Sequence, residues 1–461
     1  MKKILLIICV SFLTAFMGLK IGLSSQQAIV TGVFSMSVLG ILFFWELRLS
    51  FVFFGTGLLL ITRSINLEEL LKFASLDVIL FLIGMMILVG MLNEAGFFLW
   101  ITTKLLSIKK ITGKNLFLLL MTISALFSSL MGEVASIIIM AKIIITISDF
   151  FDIDPVPLLI SSVLATNIGS SGTVLGNPIG ILIAARGKLT FEDFLIQALP
   201  ITVLVLTVTV AVLFFWFKKY IDRLNQKLLS LEENTFFLSL ISIPADKKVR
   251  VSILIFAVTL IAIALHHRLE LLFGLEENTL LLMLPIVSAG VVMLYRRDKM
   301  RYYIEHEVEW PSILFFLFLF AQAGVIKYTG ISDFFVERFV AKVGTNPALL
   351  TGLMLYSSGF LSSVLDNTVV VASYIPIVQS LGLLYNISLR PLFWGILFGA
   401  CYGGNITAIG STANIVAVDI LERMGNKKIS FSYWLKIGLV VGILSMTSAY
   451  ALILLFGIHN S

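Results

Sequence analysis

Charge is what this chain has least of. Of its 461 residues only 13% are Asp, Glu, Lys or Arg, against roughly 25% in a soluble protein, while 59% are hydrophobic. A water-soluble fold has no core large enough for that much apolar side chain, so the composition excludes a soluble globular protein and implies an integral membrane protein. Cysteine is nearly absent. Cys9 and Cys401 both lie in apolar runs, which leaves neither a disulfide framework nor a metal site. The four histidines, His266, His267, His306 and His459, fall outside those runs, so no histidine relay is expected across the membrane. No Ser/His/Asp set or metal cluster converges in the spans, so neither an enzyme nor a cofactor is expected. The net charge of +6 comes from basic residues in short connections, where membrane orientation explains them and nucleic-acid binding does not.

What is present is a series of long apolar runs. A bilayer-crossing helix needs about 20 mostly apolar residues, and clear candidates are Ile4–Leu19, Ala28–Trp45, Asp77–Leu92, Phe194–Phe217, Val249–Leu265, Thr279–Tyr295, Trp310–Ile326 and Phe431–Phe456, with Leu49–Thr62 the weakest. Lys2 and Lys3 precede the first run, but no small-x-small cleavage pattern follows, so it reads as an uncleaved helix and not a secretory signal. Two regions, Asn115–Gly187 and Pro347–Glu422, are apolar but dotted with Gly, Ser, Asn and Pro. Broken helix at membrane depth is tolerated only where protein or a water-filled cavity surrounds it, so both regions point to a site. Each reads as a re-entrant hairpin (Asn115–Phe151, Ala348–Tyr385) followed by an interrupted helix (Val156–Ala185, Pro391–Leu421). The expectation is an all-α polytopic protein of about eleven crossings plus two hairpins, with the N-terminus inside and the C-terminus outside. This arrangement puts about two thirds of the 33 Lys and Arg on the inner face, Arg48 and Arg296 to Arg301 among them, as the positive-inside rule asks.

Slid on itself by 234 residues, the chain aligns without a gap from the Asp77 helix onward. Ile79-Leu80-Phe81 falls on Ile313-Leu314-Phe315, Ser128-Ser129 on Ser362-Ser363, and Gly169, Thr173 and Gly176 on Gly403, Thr407 and Gly410. In the topology above the two copies run in opposite directions, the inverted-repeat architecture of a secondary transporter whose discontinuous helices meet at a midplane site. The expected organisation is an extra N-terminal helix (1–27), a first repeat (28–217), a cytoplasmic linker (218–248) and a second repeat (249–461). Phe97–Lys110 and Ile331–Val343, short and one-sided, read as helices along the membrane interface. Trp45, Trp216 and Trp310 mark span ends, as an aromatic belt would.

Four polar clusters sit where the repeats break. They are the hairpin tips at Gly132-Glu133 and Asp366-Asn367-Thr368, and the helix breaks containing Asn167, Ser170, Ser171, Thr173 and Asn177 in one copy and Asn405, Thr407, Ser411 and Asn414 in the other. Backbone that leaves the helix there frees carbonyls to coordinate a cation and N–H groups at half-helix N-termini to face an anion. The plainer alternative is that these residues glue helices together. Glu133 and Asp366 carry a cost of roughly 2.5–3.5 kcal/mol at membrane depth, which makes each a candidate to bind Na⁺ or carry a proton; the alternative is a carboxylate bonded to its own hairpin. A Na⁺ site is expected near Asp366, Asn367 and Asn405. Lys142 lies about 13 Å along the helix from Glu133, so it reads as a snorkelling lysine, or else as a tethered cation in place of a coupling ion.

At these breaks the sequence resembles the ion transporter superfamily, which holds arsenite permeases, D-type sodium/proton antiporters, and citrate and dicarboxylate transporters. Ser362-Ser363-Val364-Leu365-Asp366-Asn367-Thr368 is similar to its hairpin motif; Ala165-Thr166-Asn167-Ile168-Gly169 with Gly176-Asn177-Pro178, and Gly403-Gly404-Asn405-Ile406-Thr407 through Asn414, are similar to its two helix-break motifs. The resemblance implies a homodimer with a scaffold part and a transport part that moves as an elevator. The first repeat departs from the family pattern: Gly132-Glu133 stands where aspartate-asparagine is usual, and Lys142 where a proline usually follows, although Pro376 is kept in the second repeat. Asn177 and Gly180 replace the family's aspartate and asparagine.

The leading expectation is a secondary active transporter in the cytoplasmic membrane that moves a small anion or oxyanion, coupled to H⁺ or Na⁺. A Na⁺/H⁺ antiporter is the alternative, favoured by two embedded carboxylates and no obvious arginine clamp for an anion. A third reading, the membrane subunit of an ATP-driven arsenite-type pump, requires a separate ATPase partner, because this chain has no Walker-type phosphate loop.

Overall fold

The computed structural model describes residues 2–106, 112–229, 246–276, 278–424 and 427–458. Among them there are helices and turns but no strand. The N-terminal part holds α1 (Lys2–Lys20), α2 (Ser25–Phe43), α3 (Arg48–Ile61) and α4 (Leu67–Phe73). Then come α5 (Leu76–Glu94), α6 (Phe97–Leu106), α7 (Gly113–Met131), α8 (Glu133–Phe151), α9 (Val156–Gly169), α10 (Pro178–Gly187) and α11 (Phe191–Trp216). Next come α12 (Lys218–Leu229), α13 (Lys247–Ala264), α14 (His266–Phe273), α15 (Thr279–Tyr295) and α16 (Arg297–Glu307). The second series is α17 (Trp310–Tyr328), α18 (Ile331–Val343), α19 (Pro347–Ser362), α20 (Asn367–Tyr385), α21 (Leu389–Gly403), α22 (Thr412–Met424) and α23 (Phe431–Leu455).

Polar residues begin these helices at the boundaries. Ser24 and Gln27 form a capping box on α2, as Asn66 and Glu69 do on α4, each cap contributing about 1 kcal/mol. Among the described residues nine helices are long and apolar enough to cross a bilayer, or up to eleven if α13–α14, bent by 65°, and α15–α16, bent by 103°, each form one span. Leu5, Phe12, Leu13 and Phe16 of α1 stay exposed, an outer surface suited to lipid. The protein is a polytopic all-α membrane protein.

The helix bounds repeat at the offset of 234. Leu76–Glu94 maps onto Trp310–Tyr328, and Glu133–Phe151 onto Asn367–Tyr385, residue for residue. The left-handed residues recur too: Gly96 (φ 81°) with Gly330 (φ 74°), and Asp152 (φ 49°) with Asn386 (φ 52°). Each copy folds α7–α8 or α19–α20 into a hairpin, and each interrupts the following helix, at 170–177 and at 404–411. Ser136 Oγ donating to the Ser124 carbonyl at 3.0 Å ties the two arms of the first hairpin around its tip. The interrupted helix packs tightly on the hairpin's first arm. A Cβ on Gly169 would overlap the Ala125 carbonyl, and one on Gly403 the Gly359 carbonyl, so only glycine lets these backbones meet.

The hairpin arms α7, α8 and α20 are 19-residue helices, about 28 Å long, and are among the nine long and apolar enough to cross a bilayer. The weak span at Leu49–Thr62 is a helix of 14 residues. Phe97–Leu106 and Ile331–Val343 are helical as expected; residues 107–110, linker residues 230–245 and His459 lie outside the described residues.

Candidate functional site

Four helix N-termini meet at the centre of the molecule: those of α8 and α20 at the hairpin tips, and those of α10 and α22 after the two breaks. Each carries unpaired N–H groups and a partial positive charge. Sequence supplies the caps. Asn177 caps α10, its Oδ1 accepting from Gly180 N at 2.7 Å, with Pro178 in the first turn where its missing N–H costs nothing. Asp366 caps α20 with Oδ1 accepting from Thr368 N at 2.9 Å, and its Oδ2 accepts from Thr412 Oγ1 at 2.8 Å on the first residue of α22. Glu133 is the first residue of α8, after Gly132 at φ 91°. It is buried, its Oε1 lies 3.3 Å from Ser411 Oγ, and its Oε2 has no hydrogen-bond partner among the described residues.

Above these tips lies a cavity of about 360 Å³. It is lined by Glu133, Lys142, Asn177, Asp366 and Thr368 from the sequence-derived set, joined by Arg48, His306, Glu307, Glu309, Ser312 and Thr412. Arg48 was expected only as a marker of the inner face. Instead its guanidinium stacks over Trp45 at 4.3 Å from the ring centroid, lies 5.1 Å from Phe315, and donates to Ser312 Oγ at 3.0 Å. Ser312 Oγ in turn donates to Glu309 Oε2 at 3.2 Å. Two aromatic faces and one hydroxyl hold the group in place while other N–H donors remain for a ligand. Trp45 is therefore also a seat for Arg48. His306, expected outside the membrane path, lines the same cavity and stacks on Tyr302. Lys142 lines it too, with no ion-pair partner among the described residues.

The remaining polar residues form a buried network behind Glu133. Asn167 Nδ2 donates to Asn405 Oδ1 and Asn414 Oδ1, both at 2.8 Å, and its Oδ1 lies 3.1 Å from Ser411 Oγ. Asn414 Nδ2 donates to the carbonyls of Gly404 and Thr407 at 2.8 Å each, which satisfies two carbonyls freed by the second break. Asn177 Nδ2 donates to Ser170 Oγ at 2.9 Å and to Cys401 Sγ at 3.1 Å. Ser171 lies on another side, 2.9 Å from Thr202 Oγ1 and 3.0 Å from Tyr402 Oη. Thr173 and Thr407 brace the breaks by donating to the Ser129 and Ser363 carbonyls of the adjacent tips. The Asn367 amide nitrogen faces Ser362 Oγ and the carbonyls of Ala400 and Gly410. Of the three residues expected near a Na⁺, Asp366 lines the cavity, while the side chains of Asn367 and Asn405 are hydrogen-bonded to protein partners. No group of three or more His, Cys, Asp or Glu able to hold a metal occurs among the described residues.

Sequence reasoning missed Arg48, Thr412 and Cys401. Thr412 had a signal, its place as repeat mate of Pro178 at a half-helix start. Arg48 had none, because its cavity exposure depends on how α3 packs on α17.

A sequence model described as citrate transporter matches residues 38–341 and 324–459, across both copies of the repeat. An uncharacterized transporter of Mycobacterium tuberculosis is 31% identical over 385 residues, 81% of this chain and 84% of that one. A 46 kDa membrane protein of Mycobacterium leprae is 29% identical over 390 residues, 81% and 84% of the two chains. The human P protein is 24% identical over 83% of this chain and 54% of its own length. Among solved structures, the YdaH transporter of Alcanivorax borkumensis shares the fold, with a TM-score of 0.56 at 14% identity over 85% of this chain and 87% of that one. Two repeats that fold into paired hairpins and broken helices, under a family match that spans them both, make this chain a member of the citrate transporter family within the ion transporter superfamily, and a membrane transporter.

Proposed function

We propose that the protein is a secondary active transporter that moves a small anion or oxyanion across the cytoplasmic membrane, coupled to H⁺ or Na⁺. The observation that carries this reading is the sharing of one cavity by Arg48 and by Glu133 and Asp366. The guanidinium and the converging helix N-termini suit an anion. The carboxylates suit the coupling ion, and Glu133 has an oxygen with no partner among the described residues, ready for a proton or Na⁺. In this reading the two copies are inverted, the hairpins are re-entrant, and the N-terminus lies inside with the C-terminus outside. The hairpins and broken helices would move as an elevator against a dimeric scaffold that includes α3 and Arg48. The buried Asn167, Asn405 and Asn414 network would hold the moving part rigid.

One observation favours a Na⁺/H⁺ antiporter instead: carboxylates outnumber bases in the cavity, Glu133, Asp366, Glu307 and Glu309 against Arg48 and Lys142. ATP-free proteoliposomes separate the two. Uptake of labelled citrate, succinate, phosphate, sulfate or arsenite driven by a pH or Na⁺ gradient, and lost in Arg48→Gln, supports the anion transporter. Proton flux driven by a Na⁺ gradient with no added anion sinks it in favour of the antiporter. Transport that appears only with ATP and a second subunit sinks both.

A further inference from the structure

One position beside a guanidinium differs in charge between the two copies of the repeat. Glu309 directly precedes α17 as Ser75 precedes α5, and the two are mates at the offset of 234. Neither side chain accepts from the N–H groups that open its own helix. Each instead meets an arginine: Arg186 donates to Ser75 Oγ, while Arg48 reaches Glu309 through Ser312, in steps of 3.0 and 3.2 Å. A neutral hydroxyl therefore suffices for the fold in the first copy, and the second copy has a carboxylate there, on the wall of the candidate site. The bridge has a fixed sense. Ser312 has one hydroxyl proton, which goes to Glu309 Oε2, so Arg48 meets a lone pair of the same oxygen. The other carboxylates of the wall are occupied elsewhere. Asp366 is engaged by Thr368 and Thr412, Glu133 faces Ser411, and Glu307 packs over Gly90, where an added Cβ would fall 2.6 Å from its Cγ. Among the described residues Glu309 is thus the carboxylate bonded through to Arg48.

We infer that Glu309 is a specificity-determining residue: a resident counter-charge that makes Arg48 accept oxyanions with two coplanar oxygens and refuse halides. The inference rests on the anion-transporter reading above and narrows the class of anion. The Glu309 oxygen lies no more than about 6 Å from the guanidinium donor, a range at which it repels any anion that Arg48 attracts. Coulomb repulsion depends on the charge of the incoming anion and not on its shape, so Glu309 subtracts as much from chloride as from a monocarboxylate. What remains is the directional part of binding. The planar N–H fork of arginine matches a pair of oxygens, and a spherical ion gains little from that match. Trp45 and Phe315 hold the plane of the fork. Without Glu309, a halide would compete for Arg48 by charge alone. Glu309 is exposed, so its carboxylate stays hydrated and costs the fold little.

Glu309→Gln tests this, because it keeps an oxygen for Ser312 and removes the charge. The probes are succinate and succinamate, similar in size but carrying two charges and one at neutral pH, with affinities read from thermal-shift titrations of the purified full-length protein. At low salt the variant should bind succinamate about threefold more tightly and succinate about tenfold, since the electrostatic gain scales with ligand charge. Chloride should compete with succinate in the variant and not in the wild type. An equal gain for both probes, or none, overturns the counter-charge, because a packing role does not scale with the charge of the ligand. A variant that still ignores chloride overturns the halide filter. Glu309→Ser, which copies Ser75, carries the same expectation should the first variant fail to fold. A readout without substrate separates this inference from the transport reading. Iodide quenches tryptophan on contact and Trp45 lies against Arg48, so the quenching lost in Trp45→Phe reports anions at that guanidinium. Glu309→Gln should raise that component about threefold and leave quenching by neutral acrylamide as it was. Raised iodide quenching in a protein that binds neither probe removes the oxyanion substrate and leaves Glu309 as the counter-charge of Arg48; unchanged iodide quenching overturns the inference whatever is transported.

Discussion

The two hairpin tips have the same backbone plan and different chemistry. In the second tip the carboxylate sits at the cap, and both oxygens of Asp366 are engaged, one by Thr368 N and one by Thr412. In the first tip Gly132 takes the equivalent place, and the carboxylate arrives one residue later on Glu133, inside the helix, where Oε2 finds no partner among the described residues. The pairing of the following helices differs likewise. Thr412 starts α22 with a hydroxyl toward Asp366, whereas its mate Pro178 starts α10 with no donor to offer Glu133. A one-residue displacement on a repeated backbone plan thus separates a carboxylate with both oxygens engaged from one with an oxygen that has no partner among the described residues.

Substitutions break or sharpen that contrast. The largest effect is expected for Glu133→Gln: proteoliposome transport should fall at least about 100-fold and lose its pH dependence, while the melting temperature holds, since a neutral amide is cheaper to bury than a carboxylate. Unchanged transport with an unchanged pH profile would refute the coupling role. Next comes packing common to both halves. Gly403→Ala pushes a methyl group into the Gly359 carbonyl and should cost about 1–3 kcal/mol, read as a lower thermal midpoint in detergent. A similar loss is expected for Gly169→Ala, and a large difference between the two would show that one break is the looser. Asp366→Ala removes a cap and a bridge to Thr412, so about 1 kcal/mol of stability should go, measured by the same melt, where Glu133→Ala should lose less. Equal losses would erase the distinction between the tips. The smallest effect belongs to Lys142→Gln, which should raise the apparent KM for an anion a few-fold and leave stability within about 0.5 kcal/mol. A larger stability loss would assign Lys142 to the fold.

Much of this architecture was legible in the residues. The offset of 234 appeared as a faint register of Ile, Gly, Ser and Thr, and the helix bounds reproduce it because the same caps, glycines and breaks recur at the same spacing. The tips and breaks were legible for the same reason: short polar residues at membrane depth have few structural excuses. What each residue does there was less legible. Asn167, Asn405 and Asn414 read as ligands from their positions, yet their side chains are spent on one another and on the freed carbonyls of the break.

The sequence by itself determined that the protein lives in a membrane, that it is built twice, and where its helices must break, because burial of apolar surface and satisfaction of backbone groups act locally along the chain. Only the tertiary structure decided that Arg48 joins the carboxylates, that most of the asparagines turn inward, and that Ser312 links Arg48 to Glu309. Those outcomes depend on which helices lie side by side, and side-chain distance across a helix interface has no counterpart in sequence separation.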